Sequence, residues 1–129
     1  MPDYQVVNPG WKRFEKMTFS PAIKSGNMLF ISGIAATDDE GNVMHKDDMV
    51  AQTRVIYQKM EAILKKAGAG FDNVVKTVDY ITTVENYKET AMVRREFFKN
   101  RFPASTGVIV KSLLKKGVLI EIEAVCVLD

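Results

Sequence analysis

Apolar and polar positions along the chain follow two different periods, and those periods mark out the elements. In GNMLFISGIA (26–35) a turn is followed by Met28, Leu29, Phe30 and Ile31 and then by Ser32 and Gly33. That pattern predicts a buried strand ending where the backbone needs freedom. Residues 38–41 then supply turn chemistry. Over 47–67 the apolar positions Met49, Ile56, Met60, Ile63, Leu64 and Ala67 recur at the spacing of one helix face. Asp47 is placed to cap this helix, Lys65 and Lys66 complement its negative end, and Gly68 can terminate it. The β-branched run 74–84 predicts a strand with Val74, Lys76, Val78, Tyr80 and Thr82 on one face and Val75, Thr77, Asp79, Ile81 and Thr83 on the other. Residues 85–100 carry Tyr87, Ala91, Val93, Arg94, Phe97 and Phe98 in a second amphipathic helix, which Pro103 forbids from continuing. Strands at 106–111 and 118–127, separated by a turn around Lys115, Lys116 and Gly117, complete the chain.

The resulting order is strand, strand, helix, strand, helix, strand, strand. Helices joining strands in this order predict a mixed sheet with both helices on one face, an α+β two-layer sandwich. The other face needs cover: the last strand alternates Ile120, Ile122, Ala124 and Cys126 with Glu121, Glu123, Val125 and Val127, and neither set suits plain solvent. Association of identical chains through that face is the expected solution. With 129 residues there is room for one core, so a single domain spanning 1–129 is expected.

Composition narrows the partners. Hydrophobic residues at 47% and charged residues at 26% are those of a folded globular chain. The net charge of +2 arises from 18 basic and 16 acidic side chains that are interspersed, so no field for a polyanion is implied and nucleic acid finds no support. One cysteine, Cys126, cannot form an intrachain disulfide. Neither a membrane-spanning apolar run nor the order of a secretory signal is visible, and a cytoplasmic protein without membrane attachment is the expectation.

Candidate chemistry is sparse. Glu121 and Glu123, two apart on a strand, project to one face. Burial and mutual repulsion can raise one carboxyl of such a pair into the range useful for acid–base work; one exposed and one salt-bridged glutamate is the plainer alternative. Asp79 is the odd residue of its strand, either partner to Lys76 or an arginine or a second functional carboxylate. His45 has no second ligand at metal-binding spacing, so no metal is expected. Cys126 lacks a nearby base and reads as an inert buried thiol. Ser105 and Thr106 open a strand after Pro103 and either serve a ligand or satisfy the backbone there. The glycine-rich nucleotide loops and the hydrolase elbow are missing, and no cofactor is expected.

Taken together, NMLFISG, KKAGAGFDNVVKT, YKETAMVRREFFKNRFPAS and the terminal IEIEAVCV resemble the RidA/YjgF family of enamine and imine deaminases. The resemblance runs from about Phe19 to Val127. It implies a chorismate-mutase-like fold, assembly as a homotrimer, and small-molecule pockets in clefts between subunits. It also implies a water-positioning or acid–base glutamate at Glu121 and a Ser-Gly backbone element at Ser32 and Gly33. The family's carboxylate-binding arginine falls on Ser105, and three further pocket positions fall on Ala22, Ala91 and Gly107. Exchanging a two-pronged charged contact for a hydroxyl weakens carboxylate binding by roughly 2–4 kcal/mol. The substrate implied is therefore other than the usual small 2-imino acids, with Ser32, Gly33, Ser105, Thr106, Asp79 and Arg94 as its candidate contacts. Two readings follow: an enzyme of C=N hydrolysis or a related hydrolysis or tautomerisation, and a non-catalytic small-molecule-binding or interaction protein on the same trimeric scaffold.

Overall fold

The computed structural model describes residues 2–129. Six strands form one sheet in the spatial order β1-β2-β3-β6-β4-β5. In chain order they are β1 (Gln5–Val7), β2 (Ala22–Ser25), β3 (Met28–Ala35), β4 (Val74–Ile81), β5 (Ala104–Ile109) and β6 (Ile120–Val127). All pairings are antiparallel except β4 with β5, so the sheet is mixed. Helices α1 (Met49–Lys66) and α2 (Ala91–Phe98) fill the connections on either side of β4. This is the expected α+β sandwich, with β1 as an additional strand at the N-terminal edge.

Burial shows which face carries the helices. Ile120, Ile122, Ala124 and Cys126 of β6 are buried, as are Leu29 and Ile31 of β3, and they form one core with Ile56, Tyr57, Met60, Ile63 and Leu64 of α1. Tyr57 meets Phe71, Phe97 and Phe98 at ring distances of 5.4–6.2 Å, which ties α2 to α1. On the opposite face Phe30 and Val108 remain 46% and 41% exposed. That open apolar face is the one the alternation in β6 anticipated.

Several boundaries differ from expectation for identifiable reasons. Asp48 caps α1, its side chain accepting from the Ala51 N–H, while Asp47 sits at a positive φ of 67° and precedes the cap. β4 stops at Ile81 rather than at 84. The second helix is shorter than the predicted 85–100: a 3-10 turn (Lys88–Thr90) precedes α2, and Lys99 ends it at φ 60°. β5 begins at Ala104, directly after Pro103, and lies at the sheet edge with every residue exposed.

Buried Gln52 fixes the loops over one end of the sheet. Its amide donates to the carbonyls of Met44, His45 and Gly117 and its oxygen accepts from the Leu119 N–H. Four bonds to a fully buried side chain hold the 44–45 loop and the turn before β6 in one arrangement. The turn before β6 borders the candidate site, and Met44 lines the cleft that adjoins it.

Candidate active-site cleft

The ladder between β3 and β6 breaks at Ser32 and Gly33, where the register shifts between Ile31 and Ile34. The Ser32 N–H donates to the Pro21 carbonyl and its hydroxyl to the Ser20 carbonyl, so the bulge is held by the segment leading into β2. A bulge of this kind re-aims the strand and leaves room on one face. Glu121 fills that room. A Cβ at Gly33 would lie 2.3 Å from Glu121 Oε2, so glycine is required for the carboxylate to rest there.

Glu121 is half-buried and accepts no hydrogen bond among the described residues. Burial, reinforced by the neighbouring Glu123 charge, pushes its carboxyl above the ordinary glutamate value. Glu123 is different: it accepts a short hydrogen bond from the Tyr80 hydroxyl. The pair therefore splits into a bonded carboxylate and an unbonded one. The cleft around Glu121 holds about 150 Å³ and includes Ser32 and Gly33, with Phe14, Met17 and Phe19 on its apolar side. Phe14 meets Phe19 edge-on at 5.5 Å and Trp11 at 6.0 Å, forming an aromatic wall.

The other expected contacts lie elsewhere in the chain. Asp79 points to the helix face, fully buried, where the Tyr87 hydroxyl donates to Oδ2 at 2.7 Å and Arg94 approaches to 3.6 Å. Arg94 is partnered locally: it donates to the Thr90 hydroxyl and lies over the Tyr87 ring. Asp79 and Arg94 thus face away from Glu121, because odd and even positions of a strand diverge. Lys76 is on the opposite face of β4 from Asp79 and donates to the Thr106 hydroxyl. Ser105 aligns with Thr77 and Gly107 with Asp79, and an added Cβ at Gly107 would sit 3.2 Å from the Tyr87 hydroxyl. Ser105 and Thr106 consequently belong to opposite faces of β5. Neither lines the Glu121 cleft of its own chain.

Cys126 is buried, and burial pushes its thiol up to about 12, in keeping with an inert side chain. Sequence reasoning missed Trp11, Arg13, Lys59 and Lys115, all of which line the Glu121 cleft. Only Lys59 carried a legible signal. It falls one turn from Ile56 and from Ile63, beside the buried stripe of α1, a position where a lysine must find acceptors.

Comparison with known proteins agrees with this architecture. The profile described as Endoribonuclease L-PSP matches residues 12–128. A RutC family protein of Pyrococcus abyssi is 37% identical over 107 residues, 83% of this chain and 84% of that protein. The human 2-iminobutanoate/2-iminopropanoate deaminase is 30% identical over 109 residues, 84% of this chain and 79% of that protein. The crystal structure of YyfA from Yersinia pestis, a Rid-family protein of unknown function, superposes with a TM-score of 0.87 at 29% identity, covering 98% of this chain and 100% of that one. The chain belongs to the Endoribonuclease L-PSP family, to which the RidA/YjgF and RutC proteins also belong.

Proposed function

We propose that this protein hydrolyses the C=N bond of a small enamine or imine larger than the usual 2-imino acids, with Glu121 as the acid–base and water-positioning group, in a homotrimer. The observation that carries this reading is the unbonded Glu121 carboxylate resting over Gly33 beside an aromatic wall. An idle carboxylate at a half-buried position is costly, and a proton affinity raised by burial and by the Glu123 charge suits it to take and return a proton. Water attacks the carbon of the protonated imine while Glu121 takes one of its protons, giving a neutral carbinolamine. Glu121 returns that proton to the nitrogen, the C–N bond breaks with its electron pair leaving on ammonia, and the ammonia takes up the hydroxyl proton as the carbonyl forms. The sum is protonated imine plus water giving carbonyl compound plus ammonium. Ser32 and Gly33 hold the substrate against the bulge. Ser105 and Thr106 can contribute to this cleft only from a neighbouring subunit, whereas Asp79 and Arg94 position α2 and β4 rather than the substrate.

The test is ammonia release above the spontaneous rate from two imine sources generated in situ: 2-aminoacrylate from a dehydratase and the imine of phenylalanine from an amino-acid oxidase. The expected result is greater acceleration of the phenylalanine imine, with Ser105→Arg shifting the preference toward 2-aminoacrylate. Absence of acceleration with either source would overturn the reading.

The second reading, a non-catalytic binder on the same scaffold, draws on the Tyr87 hydroxyl beside Gly107 and on the engagement of Arg94 with Asp79. These contacts occupy the charged and hydroxyl groups on the helix side of the sheet and leave them unavailable to a substrate. Saturable binding without ammonia release would favour it.

A further inference from the structure

We propose that Arg13 and Lys115, gathered beside Lys59 and Trp11 where two clefts join, form a subsite for the carboxylate of an unsaturated ligand with an apolar or aromatic body. This inference rests on Glu121 being the reacting group at the other side of the same cleft. It names the charge that replaces the guanidinium missing at Ser105.

The three cations come from three separate parts of the chain. Arg13 lies on a 3-10 turn (Lys12–Lys16), Lys59 on α1, and Lys115 on the turn before β6. They converge because Gly41, buried and at φ 89°, lets both chains past it: a Cβ there would lie 2.7 Å from Arg13 Nη2 and 3.0 Å from Lys115 Nζ. The two cationic groups therefore flank a single point. Lys115 also donates to the Gly41 carbonyl at 2.5 Å.

Among the described residues the ion pairs are Arg54–Glu96 and Arg94–Asp79, so Arg13, Lys59 and Lys115 have no carboxylate partner. Asp38 and Asp39 line the adjoining cleft. Asp38 is committed to its own turn, accepting from the N–H groups of Glu40 and Asn42, and Asp39 is exposed. Asp38 and Asp39 offset part of the mutual repulsion of the three cations without pairing with any of them, and a bound anion offsets the remainder.

The donors divide into two kinds. Lys59 directs its ammonium to the Ala35 carbonyl at 3.0 Å, the Thr37 hydroxyl at 3.1 Å and the Thr37 carbonyl at 3.3 Å, and lies 5.6 Å from the Trp11 ring centroid. Its three protons are engaged, so it contributes field and holds the wall in place. Arg13 makes no side-chain hydrogen bond among the described residues and Lys115 makes one, so their remaining donors are available for a carboxylate. Trp11, Phe14 and Phe19 supply an apolar surface beside them. The adjoining cleft of about 730 Å³ gives a larger body space.

Calorimetric titration tests this without turnover. Phenylpyruvate and phenylacetone share an aromatic body and a carbonyl but only the first carries a carboxylate. Wild type is expected to bind phenylpyruvate roughly tenfold or more tightly than phenylacetone, a preference of the size that a charge-assisted contact gives. The Arg13→Gln, Lys115→Gln double variant is expected to lose that preference while its phenylacetone binding stays the same. Glu121→Gln is expected to keep the preference even where ammonia release is lost, which separates a failure of the subsite from a failure of the catalytic reading. Equal affinity of wild type for the two compounds, no detectable phenylpyruvate binding, or an unchanged preference in the double variant would each overturn the subsite.

Discussion

Glu121 and Glu123 show how differently two carboxylates on one strand face can be placed. Glu123 lies two residues away on the same strand face, yet its Tyr80 bond leaves it occupied, whereas Glu121 is unbonded and half-buried. The glycine under Glu121 makes the arrangement testable. Gly33→Ala places a methyl 2.3 Å from Oε2, and because the carboxylate is the end of a flexible side chain it can move aside with little loss of stability. The expected outcome is an unchanged melting temperature and a fall in kcat of about 100-fold, the size of effect that a misplacement of about 1 Å produces. Lys59 gives a second prediction. Burial, with repulsion from Arg13 and Lys115 outweighing attraction from Asp38 and Asp39, pulls its ammonium down to about 8. Because the folded value lies below the unfolded one, the protonated form is disfavoured in the native state. Stability from this group therefore rises with pH from about 8 up to the ordinary lysine value of 10.5. Anion binding runs the other way: phenylpyruvate affinity is expected to fall as pH rises through 8, and Lys59→Met is expected to flatten that dependence in a calorimetric pH series.

At the scale of elements, the two faces of β4 and β6 assign the polar groups to separate tasks. Asp79 projects among the helices and is satisfied at one oxygen by Tyr87 and Arg94, while its Oδ1 has no partner. Burial raises its carboxyl above the ordinary aspartate value, opposed by the Tyr87 hydrogen bond and the Arg94 charge. Asp79→Ala leaves the Tyr87 hydroxyl without its acceptor and Arg94 without its counter-charge, and is expected to destabilise the fold by about 1–3 kcal/mol in urea unfolding. A loss of binding with stability intact would instead place Asp79 in a ligand site. The sequence made this division partly legible. Alternation in 74–84 put Asp79 opposite Tyr80, and the helical period over 47–67 located the core face of α1. The boundaries were less legible because Asp47 and Asp48 are equally good caps by composition, and only the positive φ at Asp47 decides between them. Ser105 and Thr106 looked like one patch because they are adjacent in sequence, although a strand sends neighbours to opposite faces. Lys59 was legible only as a lysine beside the buried stripe of α1, and Arg13 and Lys115 carried no pattern, since their meeting depends on the long-range path of two turns and on the absence of a side chain at Gly41.

For the whole molecule, one sheet face is sealed by helices and the other presents Phe30 and Val108. An open apolar surface next to the Glu121 cleft favours association through that surface, and in the proposed homotrimer a neighbouring β5 would reach that cleft. Val108→Asp places a charge on that face, and sedimentation is expected to show dissociation to monomers with the fold retained. A variant that remains trimeric and binds phenylpyruvate normally would place the interface elsewhere. The proposed role of Glu121 is tested most directly by the rate of ammonia release from the oxidase-generated phenylalanine imine by wild type and by Glu121→Gln. Wild type is expected to accelerate release and the variant to lose about 100-fold or more of that rate, in line with removal of a general acid–base, with phenylpyruvate affinity retained. Equal rates in the two proteins would contradict it and remove Glu121 from the chemistry.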